Sequence, residues 1–260
     1  MNVELLAPLG AVVSGIELAS VDDDDVVRLE RLLAERGVVV LPDQHVHDDP
    51  FAAFLGRFGE LTFTVGETPV AGRTDLNVVT NVGRDRPPRS SFHTDTSYVR
   101  DPPTHTALRI VEVPRSGGDT LFSDQYAAAA TLPADVRAAL DGRSIEHVVT
   151  GLVLDGDAES SAWHPALRTH PVSGRVALFL STPQRCVRIS GIDDDESARI
   201  VAELHSHSIA PERVLRHRWS PGDVVMWDNR CVMHRADHAD VIGDRVLHRG
   251  MVIARRDPSP

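Results

Sequence analysis

Three residues could bring metal chemistry to this chain: His93 and Asp95, in His93-Thr94-Asp95, and the distant His234. On an extended segment, side chains two apart leave the same face, so His93 and Asp95 would offer an imidazole and a carboxylate side by side. His234 closes an apolar stretch that runs from Val224-Val225-Met226-Trp227-Asp228 to Met233-His234, and a strand there would carry the third donor to the first two. Two imidazoles and one carboxylate form the facial triad that leaves open positions on Fe(II). The same donors around a metal-bound water would serve a zinc hydrolase, a competing reading of another class. A His-x-Asp pair arises by chance in many sequences, so its neighbours decide.

Those neighbours are ordered. Gly117-Gly118-Asp119-Thr120 follows the first pair, and Trp227-Asp228-Asn229-Arg230 precedes His234. Arg245 and Arg249 come after it in Asp244-Arg245-Val246-Leu247-His248-Arg249-Gly250. With these motifs the chain resembles the taurine dioxygenase (TauD/TfdA-like) family of Fe(II)/2-oxoglutarate-dependent oxygenases. Further segments follow in that family's order: Pro8-Leu9-Gly10-Ala11, Ser14-Gly15-Ile16-Glu17-Leu18, Gly37-Val38-Val39-Val40-Leu41-Pro42, Phe58-Gly59-Glu60-Leu61, and His164-Pro165 through Arg168-Thr169-His170-Pro171 to Gly174-Arg175.

The resemblance implies a mainly β fold, a double-stranded β-helix (jelly roll) with flanking α-helices. It implies Fe(II) on His93, Asp95 and His234, with 2-oxoglutarate and O₂ as co-reactants, succinate and CO₂ as products, and hydroxylation of an unactivated substrate C–H. Desaturation or ring formation starts from the same hydrogen abstraction and stays open. Halogenating relatives lack the carboxylate ligand, so Asp95 favours hydroxylation. Arg245 and Thr120 match the family's arginine and hydroxyl for the distal carboxylate of 2-oxoglutarate; an Arg–carboxylate pair is directional enough to orient it. Arg249, four residues on, falls on the same strand face as Arg245. In the family an arginine here holds the substrate's anionic group, so a small carboxylate is the expected substrate, with Arg89, Thr64 and Glu67 shaping the rest of the pocket. Thr62-Phe63-Thr64-Val65-Gly66-Glu67 lacks the histidine and tyrosine of taurine-type members, so taurine is expected to be a poor substrate.

Composition narrows the rest. The net charge of −11 argues against nucleic acid as a partner. All 27 Lys-plus-Arg residues are arginine, which excludes a Schiff-base or phosphate-loop lysine. No apolar run approaches the ~20 residues needed to cross a bilayer. The N-terminus lacks a secretory signature, and Cys186 and Cys231 read as reduced thiols of a cytoplasmic protein. Cys231 is a packing residue before it is a soft ligand. Self-association into a homo-oligomer is left open.

Helices are expected from Val26 to Gly37, from Pro50 to Gly59, from Ala127 to Leu140 and from Asp194 to His207. The acidic runs Asp22 to Asp25 and Asp193 to Glu196 suit helix N-termini better than metal sites. Strands are expected at Val38–Leu41, Leu76–Val82, Thr104–Val113, Ile145–Thr150, Val176–Ser181, Val214–Trp219, Asp223–Trp227 and Arg245–Ala254. His205 and His207 are expected to be exposed, His164 and His170 to belong to turns or the active-site rim, and Trp227 to pack beneath the metal strand. No repeat, linker or composition break divides the chain, so residues 1–260 are expected to form a single domain.

Overall fold

The computed structural model describes residues 1–64, 66–84, 90–152, 154, 156 and 158–254, so Arg89 lies outside the described residues. An antiparallel pair, β1 (Asn2–Leu5) and β2 (Ala11–Ser14), leads into helix α1 (Asp23–Arg36). Asp22 caps α1 by accepting from the Asp25 amide at 2.8 Å, and Gly37, at φ 77°, ends it. Acids here meet the positive end of the helix dipole, so the acidic run is capping chemistry.

Strand β3 (Val38–Leu41), helix α2 (Asp48–Leu55) and strands β4 (Glu60–Thr62), β5 (Leu76–Thr80), β6 (His105–Glu112) and β7 (Thr120–Asp124) follow. The helix expected over Ala127 to Leu140 is in fact two, α3 (Gln125–Ala130) and α4 (Ala134–Leu140). Pro133 has no amide hydrogen to continue the helical ladder, and it biases Leu132 away from helical torsions. After β8 (Ser144–Val148), β9 (Ser161–Pro165), β10 (Leu167–Thr169), β11 (Val176–Leu178) and β12 (Cys186–Ile189) comes α5 (Asp194–Ser208), capped by Asp193. The last strands are β13 (Val214–His217), β14 (Val224–Asp228), β15 (Val232–Ala236) and β16 (Val246–Ile253).

The larger sheet runs β1-β2-β3-β14-β6-β16-β4, with β5 also paired to β16; the smaller core sheet is β13-β7-β15. Period-two alternation explains how they stack. In β14, Val224 and Met226 pack outward on α1 and α2, with Leu33, Phe51 and Phe54, while Val225 and Trp227 point inward. The inward set meets Phe122, Leu215 and Val232 from the smaller sheet, which gives the core of a double-stranded β-helix. On the far side of the smaller sheet, Leu121 and Met233 pack against Ile200, Val201 and Leu204 of α5.

Several histidines are structural. His205 and His207, expected to be exposed, are half-buried and donate from Nε2 to the Phe92 and Ala128 carbonyls at 3.2 and 3.0 Å. His164 and His170, expected at the rim or in turns, are buried. His164 Nε2 donates to the Ser97 carbonyl (2.9 Å), and His170 Nε2 donates to Asp228 (2.9 Å). Among the described residues, no helix is long and apolar enough to cross a membrane.

Candidate metal and cosubstrate site

Two backbone hydrogen bonds join the metal-candidate segments. The His93 amide donates to the His234 carbonyl at 3.0 Å, and the His234 amide donates back to the His93 carbonyl at 2.9 Å. This one antiparallel bridge brings together residues far apart in the chain and sets the two rings 4.4 Å apart, centroid to centroid. His93 Nε2 lies 3.6 Å and His234 Nε2 lies 3.8 Å from Asp95 Oδ1. One donor atom from each of the three residues falls within 4.8 Å of the others. His93 Nδ1 donates to the Ser91 carbonyl at 2.8 Å, which orients the ring with Nε2 toward Asp95. Burial pushes the His234 pKa down to about 3, so that ring is neutral at ordinary pH, and its buried Nδ1 has no partner among the described residues. Trp227 packs against His234 with centroids 4.4 Å apart, as expected of a residue beneath the metal strand. This donor set fits a divalent metal ion.

Asp95 is held by a directed chain of donors. Trp227 Nε1 donates to Asn229 Oδ1 (3.0 Å), Asn229 Nδ2 to Thr106 Oγ1 (2.8 Å), and the Thr106 hydroxyl to Asp95 Oδ2 (2.8 Å). Arg249 Nη1 approaches the other oxygen, Oδ1, at 3.3 Å. Burial opposes the charged carboxylate, but His234, Arg249 and His93 outweigh it and hold the Asp95 pKa well below the usual range. Thr106 and Asn229 were missed as site residues. Asn229 stood only inside the Trp-Asp-Asn-Arg motif, and Thr106 carries no signal beyond an ordinary strand threonine.

Arg245 is a different kind of residue. It is 1% exposed, and no acid among the described residues forms an ion pair with it. Its Nε donates to the Gly118 carbonyl at 2.6 Å and its Nη2 to Thr120 Oγ1 at 3.2 Å, while Nη1 is buried without a partner among the described residues. Burial lowers its pKa to about 10, still charged at neutral pH. Thr120 Oγ1 also accepts from Trp219 Nε1 at 3.0 Å, so both lone pairs are engaged and its proton is free to donate. The Gly117-Gly118 pair makes this packing possible. Both have positive φ, and a Cβ on Gly118 would lie 2.8 Å from Arg245 Cδ. His238 lines the same cavity, and its buried Nδ1 has no partner among the described residues.

A cavity of about 350 Å³ connects these groups, lined by His93, His234, Thr120, Arg245, Arg249 and Glu67 among others. Arg249 thus faces the same space as Arg245, as the four-residue spacing implies. Its charge, however, is already matched by Asp95 and by Glu67, to which Nη2 donates. Thr64 does not line the cavity. Its hydroxyl is 3.0 Å from that of Thr96, so it braces the turn after Asp95 instead.

Residues 2–251 match the family described as taurine catabolism dioxygenase TauD, TfdA family. The chain belongs to that family. It is 34% identical over 257 residues to the alpha-ketoglutarate-dependent 2,4-dichlorophenoxyacetate dioxygenase of Cupriavidus pinatubonensis, covering 88% of each chain. It is 29% identical over 262 residues to the (S)-phenoxypropionate/alpha-ketoglutarate-dioxygenase of Sphingobium herbicidovorans, covering 93% of this chain and 90% of that one. The crystal structure of AAD-2 in complex with Mn(II) and N-oxalylglycine superposes with a TM-score of 0.86 at 27% identity, covering 99% of both chains. The protein is therefore an alpha-ketoglutarate-dependent dioxygenase that uses Fe(II), 2-oxoglutarate and O₂. That sets aside the zinc-hydrolase alternative.

Proposed function

We propose that His93, Asp95 and His234 hold the ferrous ion, that Arg245 and Thr120 bind the distal carboxylate of 2-oxoglutarate, and that Arg249 anchors the acidic group of a small organic substrate whose C–H bond is hydroxylated. The observation that carries this reading is Arg245: a buried guanidinium with an unpartnered Nη1 and no acid partner among the described residues, in the cavity that also reaches the triad. A cation left so in a protein interior is costly unless a ligand brings the missing charge.

When bound, Fe(II) supplies open positions at which the 2-oxo acid and O₂ meet. The side chains do the remaining work. The Thr106 hydroxyl keeps Asp95 Oδ2 occupied and so turns Oδ1 toward the two imidazoles. Arg245 offers Nη1, and Thr120 its free proton, to a carboxylate, which fixes the length and direction of the cosubstrate. Leu108 and Trp227 contribute apolar wall that limits water. An acidic substrate fits the two relatives, each named for an aryloxy carboxylic acid, so a carboxylate is favoured over taurine. The family match from residue 2 to 251 supports reading the whole chain as one catalytic domain. Two free, buried cysteines suit a cytoplasmic enzyme.

The test is anaerobic titration of the Fe(II) protein with 2-oxoglutarate, followed by its metal-to-ligand absorption band. Arg245→Gln is expected to weaken 2-oxoglutarate binding by about 30-fold or more, corresponding to roughly 2 kcal/mol for a lost buried charge partner. An unchanged dissociation constant would remove Arg245 from the cosubstrate pocket.

A further inference from the structure

Glu67 is the only acid among the described residues lining the cavity. The fold fixes its position: the Glu67 amide donates to the Thr64 carbonyl at 3.3 Å, the Val78 amide donates to the Thr68 carbonyl at 2.9 Å, and Pro69 bridges to Asn77 on β5. Its carboxylate is held through one oxygen. Oε2 accepts from Asn77 Nδ2 at 2.6 Å and from Arg249 Nη2, whereas Oε1 accepts no hydrogen bond from the described residues. The side chain remains 28% exposed. Asn77 completes the clamp, because its Oδ1 accepts from Arg249 Nε at 3.1 Å.

Arg249 therefore meets a substrate already flanked by two carboxylates. A guanidinium has five N–H donors, of which these contacts use three, so it can still take a substrate acid. A plain monoanion would, however, sit beside Glu67 and be repelled by it. A positive, hydrogen-donating group next to the acid turns that repulsion into a second contact, since Oε1 can accept from it. We infer that Glu67 and Arg249 form a two-headed subsite for a zwitterion, the substrate carboxylate on Arg249 and its ammonium on Glu67, so that the substrate class is an amino acid or a close analogue. This rests on the reading of Arg249 as the acid anchor. The cavity must hold the cosubstrate as well, which keeps the substrate body small, and Leu108 and Leu152 give it apolar surroundings.

The test uses the protein loaded with Fe(II) and 2-oxoglutarate without oxygen. Matched pairs are titrated in: leucine against 4-methylpentanoate and phenylalanine against 3-phenylpropionate, each amino acid as both enantiomers. Binding is read from the perturbation of the absorption band, independently of turnover. At least one amino acid is expected to bind tenfold or more tightly than its partner lacking the amine. Glu67→Gln is expected to reduce that preference at least tenfold. Arg249→Gln should weaken both members of the pair. A wild-type preference for the plain acids, a ratio unchanged in Glu67→Gln, or failure of every amino acid to bind each overturns the zwitterion subsite. Such failures are distinguishable from failure of the underlying site: if the 2-oxoglutarate band does not form, the metal and cosubstrate assignment is at fault, and if Arg249→Gln leaves both pair members unaffected, the anchor is.

Discussion

Arg245 and Arg249 lie four residues apart, face one cavity and are both buried, yet the first has no acid partner among the described residues and the second has two. Sequence spacing treats them as equivalents. The fold does not. Among the described residues the Arg245 side chain hydrogen-bonds only neutral acceptors, the Gly118 carbonyl and Thr120 Oγ1, and the nearby Asp119 supports its charge without forming an ion pair. Arg249 is brought against Asp95 and Glu67, so its charge is largely spoken for before any substrate arrives. One end of the cavity thus holds a guanidinium without an ion pair among the described residues, and the other a guanidinium already paired.

The most severe way to break this contrast is to remove the group shared between the metal site and Arg249. Asp95→Ala deletes a candidate ligand and one partner of Arg249 while leaving Arg245 and its contacts in place. Substrate-dependent O₂ consumption is expected to fall to background, with the far-ultraviolet circular dichroism unchanged, and His234→Ala should do the same. Near-normal O₂ consumption in either variant would refute the triad.

A subtler test compares the arginines in the metal-free, ligand-free protein. Arg249→Met leaves a buried carboxylate, Asp95, without its charged partner, and breaking such a pair costs on the order of 3 kcal/mol. For a chain of this size that corresponds to a melting temperature lower by roughly 6–12 °C. Arg245→Met removes a buried charge that has no ion pair among the described residues, only the weaker support of Asp119, so the melting temperature should stay level or rise. Opposite signs in differential scanning calorimetry sustain the contrast; equal losses would mean that Asp119 balances Arg245 in the folded apoprotein as fully as Asp95 and Glu67 balance Arg249.

Much of this was legible in residues close together in the chain. His93 and Asp95 two apart, the Gly-Gly-Asp-Thr run and the spacing of Arg245 and Arg249 all report local geometry, and each falls beside the cavity or the triad. The helix N-termini were legible for the same reason, since Asp22 and Asp193 cap amides three residues ahead. What escaped depends on long-range pairing. Glu67 and Arg249 are 182 residues apart, and Asn229 and Thr106 are 123 apart. Nothing in either residue's neighbourhood announces its partner. Thr64 misled for a related reason: proximity in sequence to a pocket segment does not say which way a buried hydroxyl turns. The break at Pro133 was readable in principle, and the apolar periodicity on both sides of it concealed the stop.

The smallest expected effect concerns how Asp95 divides its two oxygens between these ends of the cavity. Thr106 donates to Oδ2, and it is itself fixed by Asn229, which Trp227 holds in turn. All three donors point the same way, so the chain ends on the carboxylate and strengthens it as an acceptor, leaving Oδ1 to face the imidazoles and Arg249. Thr106→Val keeps the side-chain shape but removes the final donor. Asp95 is then free to rotate, and either oxygen can pair with Arg249. Outer hydrogen bonds of this kind typically contribute 10–100-fold to metal affinity. The half-saturating Fe(II) concentration should therefore rise about tenfold, while 2-oxoglutarate affinity at saturating Fe(II) stays near its original value, because Arg245 and Thr120 are untouched. If Fe(II) affinity is unchanged, the Trp227–Asn229–Thr106 chain serves packing only, and Arg249 alone sets the orientation of Asp95. If both affinities fall together, the two ends of the cavity are coupled through the sheet rather than independent.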